Sequence, residues 1–143
     1  MSVKQVIVVR TDLKDSKGNQ VPCGKLMAQA AHASLTAITN RMYTETENIS
    51  EDLQAIYREL NCLSNSALNI WLTGEQKKVV LAVNSQEELD ALYAKATELK
   101  MICSYIIDNG HTIFNGVQTP TCIAIGPDWE EDINTLTGHL KLY

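Results

Sequence analysis

Several chemistries are missing from this chain of 143 residues. No apolar run approaches the ~20 residues that cross a membrane, so no membrane partner is expected. The first apolar run, Val6–Val9, is too short for a secretion signal and is followed by no cleavage pattern. The expected location is therefore cytoplasmic. The cysteines, Cys23, Cys62, Cys103 and Cys122, are widely spaced and form no Cys-x-x-Cys pair. Metal-ligand spacing is thus absent, and a disulfide framework is not expected in a leaderless chain. There is no Ser-centred nucleophile elbow, and Gly18 is not followed by the Gly-Lys-Ser/Thr ending of a phosphate-cradling loop. No repeat, low-complexity tract or linker interrupts residues 1–143, which read as a single domain of ordinary globular composition, 45% hydrophobic and 20% charged.

Positive charge is scarce overall but unevenly placed. The net charge of −5 argues against a nucleic-acid partner. Residues 1–42, however, hold six Lys/Arg against two Asp/Glu, whereas residues 43–101 hold five against ten and residues 102–143 one against five. A locally basic site on an acidic protein still attracts a phosphate backbone.

Val3 to Arg10 reads as a strand whose β-branched run Val6-Ile7-Val8-Val9 has no alternation, so both of its faces are covered. Thr11 to Cys23 is a loop, with turn chemistry at Asp15-Ser16-Lys17-Gly18-Asn19. A helix is expected from about Lys25 to about Tyr43. Ser50, followed by Glu51 and Asp52, reads as the start of a second helix, with Leu53, Ile56, Tyr57 and Leu60 on its apolar face. Ser66 caps a short helix through Trp71. Strands follow at Lys78–Val83, Met101–Ile107 and Thr121–Ile125, the last ended by Gly126-Pro127. Ser85-Gln86-Glu87-Glu88 is a capping box that opens a helix. Asp128 caps a final helix ended by Gly138, and His139–Tyr143 is a short tail. The order implies an α/β layered domain with a four-stranded mixed sheet flanked by helices.

The stretch Gly24-Lys25-Leu26-Met27-Ala28-Gln29-Ala30-Ala31-His32-Ala33 holds the most suggestive chemistry. At about 100° per residue, Lys25, Gln29 and His32 lie within about 60° of one another on a helix surface. Leu26, Ala30 and Ile38 line one apolar stripe; Met27, Ala31 and Leu35 line another. Lys25 stands in the first turn, where free backbone N–H groups attract anions. A second polar cluster, Asp108-Asn109-Gly110-His111-Thr112, follows the third strand. Ligands in open α/β sheets bind beyond the carboxyl ends of strands. If the first and third strands are parallel neighbours, both clusters share one sheet edge. Such a set supports hydrolysis: a carboxylate orients or deprotonates water, and a lysine stabilises an oxyanion. The same residues also fit a solvent-facing helix and an Asp-Asn-Gly turn. Cys23 and His32 are nine residues apart with nothing to pair them as nucleophile and base.

Five motifs, in order, resemble the type II peptidyl-tRNA hydrolase family. They are Val6-Ile7-Val8-Val9-Arg10-Thr11-Asp12-Leu13-Lys14, the Gly24–Ala33 stretch, Asp108-x-Gly110-x-Thr112, Ala124-Ile125-Gly126-Pro127 and Thr137-Gly138-His139-Leu140-Lys141-Leu142-Tyr143. The resemblance covers nearly the whole chain. It implies an enzyme that cleaves the ester between a peptide and the 3′ ribose of tRNA, with peptidyl-tRNA as partner and neither metal nor cofactor. It places Lys25, Asp108 and Thr112 as catalytic residues, with Gln29 and His32 lining or supporting the site; His111, at a variable position of the turn, is a further candidate to support it. Lys14 and Lys17 would meet the tRNA backbone. Three departures are plain, one of them that Asn109 and His111 fill the variable positions of the turn. Leu13–Gly24 is longer than the family's Lys-x-x-Lys-Gly-Lys run, with Cys23 where a lysine is expected. Residues 48–66 read as an inserted helix at the substrate rim or at a homodimer interface. The alternatives are a non-catalytic tRNA- or protein-binding relative and a small phosphate-binding domain.

Overall fold

The computed structural model describes residues 1–143. Its elements run β1 (Val3–Arg10), α1 (Cys23–Thr39), β2 (Tyr43–Ser50), β3 (Leu53–Glu59), α2 (Ala67–Thr73), β4 (Lys78–Val83), α3 (Gln86–Glu98), β5 (Cys103–Asp108), β6 (Thr119–Trp129), α4 (Glu130–Thr137) and β7 (Lys141–Leu142). The architecture is α/β. The main sheet is mixed, in the order β5-β6-β1-β4-β7, and β2 and β3 form a separate two-stranded ribbon.

The unbroken apolar run of β1 is explained by its central place. Val6 and Val8 point into one core with Leu81, Leu89, Ile123, Ile125 and Ile133, on the side of α3 and α4. Ile7 and Val9 point into another with Ala33, Ala37, Ile106 and Cys122, beneath α1. Each such side chain, fully removed from water, contributes about 1.5–3 kcal/mol. Small residues on α1 let it lie close to β5 and β6.

Five points differ from the sequence reading. The main sheet has five strands, because the tail pairs with the free edge of β4 through Leu81–Leu142 and Ala82–Lys141. Strands β1 and β5 are not neighbours: β6 lies between them, antiparallel to both. They therefore still run in the same direction and end at the same sheet edge. The helix expected from Ser50 is instead the β2–β3 hairpin, turning at Glu51-Asp52. Its residues are rich in Thr, Ile and Tyr, which favour extended backbone. Helix α1 starts at Cys23 and stops at Thr39, with Asn40 as its C-cap. Finally, β6 does not end at Gly126-Pro127 but continues to Trp129. The ladder with β1 shifts register between Lys4 and Val6, so the missing N–H of Pro127 falls in an irregularity where no ladder bond is needed.

Candidate active site

Strand periodicity and helix periodicity meet along a line between β5 and α1. Alternate residues of β5, namely Ser104, Ile106 and Asp108, are buried. Along α1, residues four apart face them and the end of β6. Ser104 Oγ donates to Ala33 O at 2.7 Å. Thr121 Oγ1 donates to Gln29 Oε1 at 2.7 Å. Lys25 Nζ donates to Asp108 Oδ1 at 2.6 Å. These three rungs, at positions 25, 29 and 33, fix the helix in register on the sheet. The last rung opens to solvent and is the site.

Asp108 is 7% exposed. Its Oδ2 accepts the Gly110 N–H at 2.9 Å, while the same Lys25 ammonium lies 3.4 Å from Thr112 Oγ1. Burial alone would raise the carboxyl's pKa. The hydrogen bond from Lys25, the Gly110 N–H and the charges of Lys25 and His111 overcome it, and the carboxyl is held below its ordinary value. Asp108 is therefore an anion at neutral pH. Gly110 is required by geometry: its φ is +81°, and a Cβ there would lie 2.2 Å from Val117 O.

The loop that follows Asp108 is tied to the loop that precedes α1. Leu13, Val21 and Phe114 form a small buried cluster of their own, and Ser16 N–H donates to Ile113 O at 2.9 Å. Within the first loop, Asp15 Oδ1 accepts the N–H groups of Lys17 and Asn19, each at 2.8 Å. A segment that reads as a loop is thus a folded flap beside the site. It presents Lys14 and Lys17 to solvent, and neither forms an ion pair. Arg10 is not available in the same way. Its guanidinium makes two bonds to Asp12, at 2.9 and 2.8 Å, and one to Pro120 O at 2.9 Å.

The structure brings Lys25, Asp108 and Thr112 together and sets Gln29 one helical turn behind them. His111 is exposed on the turn, and its backbone N–H donates to Asn109 Oδ1 at 3.0 Å. His32 is also exposed and sits seven residues beyond Lys25, about 10 Å along the helix. Cys23 faces away from these groups, lining an apolar hollow with Leu26, Met27 and Tyr143.

Thr121 is the residue that sequence reading missed. The pairing of β5 with β6 jumps from Ile106–Cys122 to Ile107–Pro120, so Thr121 is a bulged extra residue. A bulge re-aims a side chain. Here it lets Thr121 and the adjacent Cys122 both reach α1: Cys122 Sγ donates to Gln29 O at 3.3 Å. With its oxygen held by Thr121, the Gln29 amide is left with its N–H groups free to donate.

Chemically, the site offers an anion that can accept from water, an ammonium with three donors of which two are engaged, and the N-terminal turn of α1. That turn has no side-chain cap and no acidic residue, so its backbone N–H groups favour an anion.

Known proteins share this arrangement of sequence. The family model described as Peptidyl-tRNA hydrolase PTH2 matches residues 3–143. A peptidyl-tRNA hydrolase of Methanocaldococcus jannaschii is 36% identical over 140 residues, spanning 98% of this chain and 99% of the relative. One from Haloquadratum walsbyi is 38% identical over 141 residues, spanning 99% of this chain and all of the relative. A probable peptidyl-tRNA hydrolase 2 of Dictyostelium discoideum is 36% identical over 141 residues, with the match spanning 54% of that longer protein. With its Lys25–Asp108–Thr112 cluster at the carboxyl edge of the sheet and a match running from end to end, the chain belongs to the peptidyl-tRNA hydrolase PTH2 family.

Proposed function

We propose that this protein hydrolyses the ester between a peptide and the 3′ ribose of tRNA. The observation that carries the reading is the buried Asp108 carboxylate, held on one oxygen by Lys25 and on the other by Gly110 N–H, with Thr112 alongside.

Each group has a role set by its chemistry. Asp108 is a weak base, because its pKa is lowered, so it acts by orienting water rather than by holding a proton. Each of its oxygens keeps one lone pair for that water. Thr112 holds the water or the ester carbonyl from the open side. Water adds to the carbonyl carbon, and the third N–H of Lys25 meets the oxyanion that forms. The C–O bond to the ribose then breaks. The 3′ oxygen takes up a proton derived from the attacking water, giving a free 3′-hydroxyl and a peptide carboxylate, with one proton released to solvent. Gln29, oriented by Thr121, donates to a peptide carbonyl. His111 on the turn, and His32 about 10 Å along α1, pass protons by way of water. Lys14 and Lys17 hold the tRNA backbone, and the α1 N-terminus binds the terminal phosphate.

The same reading places the enzyme in the cytoplasm. Its test is release of the acyl group from N-acetylated aminoacyl-tRNA. The wild-type chain turns over, while folded Lys25→Ala and Asp108→Ala proteins lose turnover. If both variants keep near-normal rates, the roles are wrong. If the folded wild type gives no release but binds tRNA in a salt-sensitive way, the protein is a non-catalytic binder.

A further inference from the structure

The second apolar stripe of α1 has no partner in the fold. Met27 and Leu35 are 71% and 62% exposed. Beside them, no helix packs broadly on that side of β4 or β7; only Trp71 of α2 reaches that half of the sheet, under Lys78 at 4.9 Å. Two hollows that share Ala30 run end to end along the helix. One of about 250 Å³ lies between Met27, Val80 and Tyr143. The other, of about 490 Å³, lies between Leu35, Trp71 and Leu72. Together they follow α1 from Cys23 to Ile38, about 24 Å at the helical rise. The groove is apolar, but its sheet side is cationic. Lys78 lines it, and Lys141, paired with Ala82, falls on the same sheet face as Lys78. Neither lysine forms an ion pair.

The β2–β3 hairpin has the complementary surface. Its strands pack substantially only on each other, and an isolated two-stranded hairpin is marginally stable in water. The register puts Tyr43, Glu45 and Glu47 of β2 on one face with Leu53, Tyr57 and Glu59 of β3. Tyr43, Leu53 and Tyr57 are all about half exposed or more, at 67%, 58% and 49%. Residues 43–59 hold Glu45, Glu47, Glu51, Asp52 and Glu59 against Arg58 alone, so this arm repels a phosphate backbone. Each strand of eight or seven residues spans about 23–26 Å, the length of the groove. The turn after α1, closed by Arg41 N–H on Ile38 O and Met42 N–H on Thr39 O, carries the arm off the helix end, and neither strand packs on α1.

We propose that the hairpin is a dimerisation arm, and that each copy lays its Tyr43–Leu53–Tyr57 face into the α1 groove of a second copy. The exchange is reciprocal, as a closed two-fold interface requires. The arm's glutamates meet Lys78 and Lys141. Two arms, each about 10 Å wide, bury about 1,000 Å² counted over both surfaces, which reaches the size of a specific interface. Neither arm nor groove contains Lys25, Asp108 or Thr112, so the proposal stands apart from the hydrolase reading.

Sedimentation equilibrium of the full chain at micromolar concentration tests it. The wild type should have about twice the 15.9 kDa of one chain. Tyr57→Lys on the arm and Leu35→Lys in the groove should each weaken the dimer at least tenfold. Mixed in equal amounts, the two variants should associate more tightly than either alone, because one intact arm can then enter one intact groove. Far-UV circular dichroism checks folding, and Tyr43→Lys and Met27→Lys replace either variant if it misfolds. A monomeric wild type overturns the proposal, whether the arm stays free, folds into its own groove or serves another protein. So does a dimer that ignores either substitution.

Discussion

The Lys25–Asp108 pair makes a prediction that separates catalysis from mere stability. Consider Lys25→Met, Asp108→Asn and the double variant. Lys25 and Asp108 side chains are 20% and 7% exposed, so the pair is largely shielded from solvent. Lys25→Met leaves the Asp108 carboxylate buried with only the Gly110 N–H as partner, and that should cost about 3 kcal/mol of stability, the lower end for breaking a buried pair. Asp108→Asn costs less, because the amide is neutral and can still accept from Lys25. In the double variant no unpaired charge remains, so the two losses should not add; a coupling of about 1–3 kcal/mol is expected from chemical denaturation. Turnover should behave similarly for a different reason. Removing one oxyanion donor lowers kcat about 100- to 1,000-fold, or about 2.7–4 kcal/mol, and groups that act as a unit are non-additive. The double variant should then be little slower than the worse single one. The pH dependence has a definite sign. In the wild type the Asp108 carboxyl is held below its ordinary value. The stability from the pair is therefore fully present above the ordinary carboxylate range, and is lost as pH falls through the lower folded value. Lys25→Met removes the largest lowering influence and leaves burial, which raises the pKa, so the acid limb of its residual kcat/KM should move to higher pH. Additive kinetic losses, or an acid limb that stays in place, would refute the account of Asp108 as a water-orienting anion.

Three further outcomes follow from local geometry. Gly110→Ala should destabilise by at least about 2 kcal/mol and abolish turnover, measured by thermal unfolding and acyl release, because the position has φ +81° and abuts Val117 O. Replacing Lys14 and Lys17 together by alanine should weaken tRNA binding and reduce the slope of log affinity against log salt by about two; an unchanged slope would remove the flap from the tRNA path. Thiol labelling of the native protein should modify the exposed Cys62 promptly. Cys122, whose thiol burial pushes up to about 11 against a lesser opposing effect of the Thr121 hydroxyl, should react only after unfolding.

The layered α/β class was legible because it depends on apolar periodicity, and the buried run of β1 shows that plainly. The capping box was legible too: Ser85 Oγ accepts the Glu88 N–H at 3.1 Å. What failed were elements whose partner is not local. Leu53, Ile56, Tyr57 and Leu60 have helical spacing, yet the hairpin that contains three of them has no core beneath it. Spacing there reports nothing about burial. In the structure Leu53 and Tyr57 share a face while Ile56 lies on the other. The edge strand β7 is only two residues long, too short for any period to appear, and it exists because β4 offers an unpaired edge.

The candidate site divides along the same line. Lys25, Asp108 and Thr112 could be named from motif and spacing, because each stands at an element's end, where chemistry is expected. The parts that hold them could not. Period-two reading puts Thr121 on the opposite sheet face from Cys122, and only the bulge between β5 and β6 lets both reach α1. Phe114 lies far in sequence from Leu13 and Val21 and shares no pattern with them, yet their small cluster clamps the two loops together. That clamp bears on the longer flap between Leu13 and Gly24. A long free loop would impose an entropy cost each time it ordered against a ligand. Here Asp15, Ser16 and the Leu13–Val21–Phe114 cluster have already ordered it. Lys14 and Lys17 therefore stand on a pre-organised flap, not on a mobile tail. Cys23 itself, on the far side of α1, belongs to the groove and not to the site.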